Sequence, residues 1–440
     1  MSLAAKLPYD HAFAGGFSGI GSQALPTDAD ALDYLSRLAT ADGAGVETGV
    51  AVAVDAFFRG LKATPGLFEA IKASCILAGA RTLAGALVPV SNGPLHGAAE
   101  LYDASTNPGI INGGGSAGGW DASTKTFSNT NSSGTSTRPA FRFSFPGLVS
   151  ARSYYISGRF SGDVGSVTAL DLHNNPSLGN AGTLEYDQNT GEFSGTSYNV
   201  YANFLQIDTD GTKGPFAVTI EELSIKEAMP APTSNGFVNG DFSRTSGLTG
   251  DGTSYIDSGR ANDADPQNDN HNAVFISAIN SFTQILGSRN STTGRNFMDL
   301  GGGGYKLRVS ARSDTVLTTA AAPDSGTVIA HARSDSAEMS YRLNGVTYTD
   351  TLASESPDVD TLLVYARRNV STGAAENFST NTLAFYSIGT SLSLEDLDTA
   401  ITNLINRLKF ALLVGENPSG LDPDTIAYIV SGYEAGGSLE

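Results

Sequence analysis

The sequence predicts a mainly β protein of two β-sandwiches, with a small three-helix region before them and an amphipathic helix after them. Three observations carry this. Short runs rich in β-branched and aromatic residues recur through the middle and later chain, each bounded by Gly, Asn, Asp or Ser. The 440 residues include 51 Gly, which suits a loop-rich all-β chain. Helical periodicity is confined to the beginning and the end.

Residues 1–26 read as an arm without a core of its own, either docking on a partner or hanging as a loose leader. Thr27 followed by Asp30 is a variant capping box, opening a helix with Leu32, Tyr34, Leu35 and Leu38 inward. Gly43 and Gly45 break it. A second helix spans about 46–62, with Val50, Val54, Phe57, Phe58 and Leu61 on its inner side. Thr64–Pro65 starts a third, carrying Leu67, Phe68, Ile71, Cys75 and Ile76. Residues 81–90 (RTLAGALVPV) then read as a strand.

Residues 103–227 have their own logic. A Gly-rich loop carries the single tryptophan, Trp120. Strands are expected at 140–145, 153–160, 167–172, 183–187, 192–194, 203–207 and 217–226, and the alternation in FRFSF and VTIEELSIK marks half-buried strands. AMPAPTS, at 228–234, is a Pro-rich exit linker. From 236 to 393, strands are expected at 271–280, 283–287, 305–310, 327–332, 340–343, 346–349 and 362–366. Ser393 with Asp396 caps a last helix whose stripe is Leu397, Ile401, Leu404, Ile405 and Leu408. A tail ends the chain, with one short helical turn near 423–429.

The formal net charge is −19, and no basic run occurs. Phosphate backbones need clustered Lys and Arg, so nucleic acid is excluded as a partner, as is an anionic membrane surface. No stretch of 18 apolar residues occurs, so no membrane insertion is expected, and the start lacks a signal-peptide core. One cysteine, Cys75, rules out an internal disulfide; it reads as a small buried apolar residue of a protein made in a reducing compartment.

No catalytic constellation is legible, and the chain is read as a non-enzyme. GGSAG at 114–118 matches GxSxG, but its flanks lack the strand before and the helix after that a nucleophile elbow requires. The five histidines share no metal-binding spacing. No cofactor is required. Ca²⁺ is the one ion that fits, at Asp263, Asp265 and Asp269 in ANDADPQNDN, where hard oxygen ligands cluster; solvated turn residues are the alternative. For sugar binding, which needs aromatic stacking beside hydrogen-bonding groups, the candidates are Trp120, Tyr154, Tyr155, Tyr198 and Tyr201, with His173 and Asn174. Core packing is the alternative role of each aromatic. Alternation puts Tyr154 and Tyr155 on opposite faces, so at most one meets a ligand.

Four segments carry a family resemblance: AIKASCILAGARTLAGALVPV at 70–90, FVNGDFSRTSGLTGDGTSYIDSGR at 237–260, ADPQNDNH at 264–271 and LAFYSIGTSLSLEDLD at 383–398. They resemble a tailed-bacteriophage structural family of laminin-G/concanavalin-like sandwiches. In that family the LVPV strand runs almost directly into the second segment; here about 140 residues intervene. The resemblance therefore implies a laminin-G-like host (81–102 plus 229–410) with an inserted jelly roll at 103–228. The insert resembles carbohydrate-binding modules of phage proteins, and 27–80 becomes a helical attachment region. The implied function is a virion structural protein, a head fibre or decoration protein or a tail fibre, assembled in the host cytoplasm and displaying the jelly roll to host-surface glycan. The alternatives are a cement protein without ligand and a polysaccharide depolymerase. Other virion proteins are the implied partners. A homo-oligomer, a trimer by analogy with phage fibres, would bury the stripe of the last helix.

Overall fold

The computed structural model describes residues 26–95, 98, 100–101, 118–121, 123–129, 140–144, 153–166, 170–173, 180–197, 204–209, 216–288, 294–301, 306–313, 315–369 and 371–416. The expected arm, the tail beyond 416 and residues 114–117 of the GxSxG match lie outside them. The chain divides into two compact units. The host comprises 1–90, 232–258 and 262–440; the guest comprises 91–231 with 259–261.

In chain order, the host begins with α1 (Ala29–Asp42), α2 (Thr48–Ala63), α3 (Leu67–Ala70), β1 (Ile71–Ile76) and α4 (Leu83–Ala86). The guest holds β2 (Gly118–Asp121), β3 (Thr126–Asn129), β4 (Ala140–Ser144), β5 (Tyr154–Gly162), β6 (Leu170–His173), β7 (Asn180–Tyr186), β8 (Glu192–Ser197), β9 (Phe204–Thr209) and β10 (Phe216–Glu227). The host resumes with β11 (Thr233–Asn235), β12 (Phe242–Ser243), β13 (Gly247–Thr249), β14 (Tyr255–Ala261), β15 (Asn270–Ala278), β16 (Gln284–Ser288), β17 (Arg295–Gly301), β18 (Lys306–Ser313) and β19 (Leu317–Thr318). It ends with β20 (Thr327–Arg333), β21 (Glu338–Leu343), β22 (Val346–Thr351), β23 (Thr361–Val364), β24 (Arg367–Arg368), β25 (Ala375–Glu376), β26 (Thr382–Gly389) and α5 (Leu394–Glu416).

The first host sheet runs β12-β13-β26-β15-β20-β21-β22. β1 and β13 share one edge of β26, pairing with its two ends, and β15 takes the other edge. The second sheet runs β11-β14-β23-β16-β17-β18-β19. Between them lies an apolar core that includes Val274, Ile276, Ile329 and Leu383 from the first sheet and Ile285, Met298, Val309 and Val364 from the second. All eight residues of β26 are buried, which suits its largely apolar sequence, TLAFYSIG: both of its faces are covered. The outer cover is helical. The Phe57 ring of α2 meets Phe385 edge-on at 5.8 Å, and Lys409 of α5 lies over Phe275. A Cβ at Gly49 would stand 2.8 Å from Ala411 Cβ, so glycine lets α2 and α5 approach closely.

Four expectations are corrected. The cap of α1 is Asp28, not Thr27; its carboxylate accepts from Asp30 N and Ala31 N. The third helix stops at Ala70, and Ile71–Ile76 is a strand. Its apolar residues satisfy helical spacing and alternation equally, and pairing with β26 decides between them. Residues 81–90 are not a strand: Thr82 caps the short α4, Asp42 binds Arg81 N and Thr82 N, and only Pro89 forms an isolated bridge, to Cys75. The host strand that precedes the guest is therefore β1. The stripe of α5, expected at an interface between copies, is covered within the chain: Leu397, Ile401, Leu404, Ile405 and Leu408 are all buried.

A line of buried polar side chains crosses the host core. Asn272 Nδ2 donates to Asn296 Oδ1 (2.7 Å) and lies 3.1 Å from His331 Nε2. Asn296 Nδ2 donates to Asn262 Oδ1 (2.8 Å), and Ser288 Oγ donates to Asp358 Oδ1 (2.7 Å). Burial pushes His331 down to about 3 and His271 down to about 4, and pushes Asp358 up to about 6.

Two outcomes are expected. Ile401→Ala lowers host stability by about 2–5 kcal/mol, read by denaturant unfolding, because a buried aliphatic leaves a cavity. Acidification also destabilises the host. Below pH 6.5 the unfolded chain protonates two histidines that the folded chain keeps neutral, so each withdraws about 1.4 kcal/mol per pH unit down to its folded pKa. Asp358 has the opposite sign: its raised pKa adds stability as pH falls from about 6 toward its unfolded value. Two histidines outweigh one carboxyl, and a midpoint that rises between pH 6.5 and 4.5 contradicts the account.

Candidate functional site

The guest strands pair in the order β2-β3-β10-β5-β8-β7-β6-β9-β4. β7 changes partner along its length: its first half pairs β6 and its end pairs β8, so one bent strand joins two sheet regions. Fourth in this order, between β10 and β8, lies β5, whose alternation sorts two adjacent tyrosines. Tyr154 is buried with Ile156 and Phe160, and the Phe160 and Phe193 rings lie 4.7 Å apart. Tyr155 is half-buried on the opposite face. Ladder register gives it neighbours: Thr196 on β8 and Lys226 on β10. The next outward positions are Ser157, between Ser194 and Ser224, and Arg159, between Glu192 and Glu222. Arg159 pairs with Glu222 at 3.0 Å, and Ser161 Oγ donates to Glu221. Glu100 fixes the β10 side, accepting from Ser224 Oγ at 2.6 Å and Ile225 N at 2.7 Å. Gly93, at φ +95°, passes the Tyr155 ring so closely that a Cβ would lie 3.6 Å from it. The result is one aromatic ring in a row of hydroxyls, amines and carboxylates, the chemistry that holds a polyhydroxylated ligand.

Of the other sugar candidates, Trp120 lies in strand β2, registered with Phe127, rather than in a loop. His173 ends β6, opposite Asn180 and Gln206. Asn174, Tyr198 and Tyr201 lie outside the described residues. Ser157, Arg159, Thr196 and Glu222 were not singled out from the sequence. Their signal is the alternation of three strands read together, which requires knowing that β5 lies between β8 and β10. Directly after the GxSxG match the chain enters strand β2, where a nucleophile elbow needs a helix.

The host carries an open cleft of about 480 Å³ between β20, β21, β22 and the start of α5. Its walls bear the carboxylates Asp335, Glu338 and Glu395 and the hydroxyls Ser334, Ser340, Thr349 and Ser393. Two anchors fix the Ser391 wall. Asp269 accepts from Ser391 N (2.7 Å) and Ser391 Oγ (2.6 Å), and the buried His271 contacts Thr390 O (2.6 Å) and Ser387 Oγ (2.8 Å). Asp269 belongs to the acidic run named as a Ca²⁺ candidate. Asp263 is exposed, Asp265 is buried, and Asp269 holds Ser391. Arg312 clamps the run from inside by donating to Asp265 O at 2.9 Å and to Pro266 O and Asn262 O. Its own backbone is left-handed (φ 54°), a conformation that such a clamp can hold in place. Among the described residues no group of three or more His, Cys, Asp or Glu is placed to hold a metal ion. No helix among them is long and apolar enough to cross a membrane.

No protein-family model and no curated protein sequence matches this chain. Among solved structures, domains LG4-5 of the mouse laminin alpha1 chain are similar at a TM-score of 0.25 and 9% identity, covering 60% of this chain and 88% of that one. The N-terminal CBM22-1-CBM22-2 tandem domain of Paenibacillus barcinonensis Xyn10C is similar at a TM-score of 0.21 and 10% identity, covering 67% and 98%. Likeness at this level assigns neither ligand nor role. The fold itself is mainly β, with several antiparallel sheets and a C-terminal helix.

The two tyrosines should separate cleanly. Tyr154→Ala costs the guest about 3–5 kcal/mol, the cost of truncating a buried aromatic. Tyr155→Ala leaves the melting temperature nearly unchanged and removes any sugar-induced tyrosine fluorescence change. Equal destabilisation by both variants would contradict the facing assigned to β5.

Proposed function

We propose that the chain is a structural protein of a tailed-phage virion whose guest unit adheres to host-surface glycan. The outer face of β5 carries this reading: one half-buried tyrosine among hydroxyls and a guanidinium–carboxylate pair, on a strand whose other face is core. The guest is also closed at its base. Pro94 bridges Ala228, and Leu95 N donates to Glu227 O at 2.7 Å. A unit whose entry and exit are tied together can be carried by a host without opening the host's sheets.

The virion placement rests on the four segments that resemble phage structural proteins, and their positions support it. β1, from the first, and β13, from the second, both pair β26, which lies in the fourth. Asp269, from the third, holds Ser391, also in the fourth. Segments scattered over more than 300 residues thus meet at β26 and the residues just after it. The net charge of −19 agrees with a surface that avoids anionic polymers.

The test is a virion whose protein lacks residues 91–231, bridged by a short Gly/Ser linker, alongside a Tyr155→Ala virion. Intact particles with adsorption reduced at least tenfold in both are expected. Unchanged adsorption overturns adhesion and leaves the cement reading. Release of reducing sugar ends from host polysaccharide by the purified chain would assign a depolymerase instead.

A further inference from the structure

Sheet edges are open hydrogen-bonding templates, and proteins blunt them with short strands, Lys, Pro or bulges. Three of the strands that terminate the host sheets follow this rule: β12 and β19 have two residues each and β11 has three. The fourth does not. β22 has six residues, all exposed, with the sequence VTYTDT. It has no Lys, no Pro and no bulge in its register with β21. Val346 and Tyr348 are among the most exposed large apolar side chains described.

The turn decides which of its backbone groups are open. Asn344 and Gly345 both have positive φ (49° and 74°), the two-residue turn of a tight hairpin. Leu343 and Val346 flank it as a hydrogen-bonded pair, so bonded pairs recur at Tyr348 and Asp350. The donation of Leu352 N to Ala337 O (2.7 Å) continues the same parity. Thr347, Thr349 and Thr351 therefore turn their N–H and C=O groups outward, and no hydrogen bond within the described residues reaches those groups.

From this geometry we infer that β22 pairs with β22 of a second copy of this chain, antiparallel, about a two-fold axis at Thr349. The strand is self-complementary in that register. Thr349 faces its own copy, Thr347 faces Thr351, and six backbone bonds close, counted from three residues that each exchange two. Asp350, the only charge on the strand, then lies opposite Tyr348 rather than opposite a second Asp350. The three threonines form one cross-strand ladder, a favourable pairing. Tyr348 is already held, stacked on Tyr341 at 5.1 Å. An unrelated strand fits the backbone but has no reason to meet this alternation. The inference is independent of the virion reading, and it specifies a two-fold contact where fibre analogy implies a trimer.

The test is sedimentation velocity of the full chain over a concentration series. A dimer is expected, tighter at higher ionic strength, because salt screens two chains of net charge −19 while the backbone bonds remain. Thr349→Pro removes one backbone group, an outward N–H, together with an exposed hydroxyl bond to Ser340 Oγ (3.1 Å), so it should abolish the dimer with circular dichroism unchanged and melting little changed. Thr349→Lys, which keeps the N–H but sets two cations on the axis, gives the same readout if the proline variant fails to fold. Thr349→Cys should form a disulfide-linked dimer on oxidation, since the natural Cys75 is buried. A wild-type chain that is monomeric throughout, or an oligomer of any size untouched by these variants, overturns the inference.

Discussion

The host depends on one strand. β26 has both edges paired and both faces buried, and it lies near the end of the chain. One of its partners, β1, precedes the guest: Cys75 faces Tyr386 across 311 positions, and their side chains touch at 3.4 Å. The first sheet cannot close until nearly the whole chain is present. Such distant pairing slows folding more than it weakens the product, since closure entropy grows only with the logarithm of loop length. Tying the base of the guest shortens the effective loop, and by the same logarithm each halving of its length lowers the closure cost by only about 0.6 kcal/mol.

Around β26 the host uses buried polar groups as fasteners. Asp269, His271 and Arg312 each hold a backbone segment that carries no regular ladder of its own. The line through Asn272, Asn296 and Asn262 does the same between the sheets. These groups are neutral, or charged and multiply bonded, which is what makes their burial affordable. Their cost appears on acidification, when histidines that accept no proton in the fold are offered one.

Much of this was legible in the sequence. Alternation located seven of the nine described guest strands to within a few residues, because half-buried strands announce their faces, but only seven of the seventeen described host strands; β26, buried on both faces and broken by Ser387, was not among them. The stripe of α5 was readable for the same reason, and so was the opposition of Tyr154 and Tyr155. What failed was set by tertiary pairing. Ile71–Ile76 fits helix and strand equally until β26 is in place, and 81–90 looks like a strand but finds no partner beyond one bridge. The sequence around Asp263, Asp265 and Asp269 did not reveal the partners of the run, Ser391 and Arg312, which lie more than 40 positions away. Trp120 looked like a loop residue because Gly-rich flanks hide a short hairpin. The outer face of β5 was half visible, since strand neighbours cannot be read from one strand.

The closed base of the guest also has a mechanical meaning. The chain enters at Pro94 and leaves at Ala228, bridged side by side. Both partners of this bridge, and of the bond from Leu95 N to Glu227 O, belong to the guest itself. Drawing the two strands apart therefore breaks hydrogen bonds of the guest, and its ends stay together for as long as the guest stays folded.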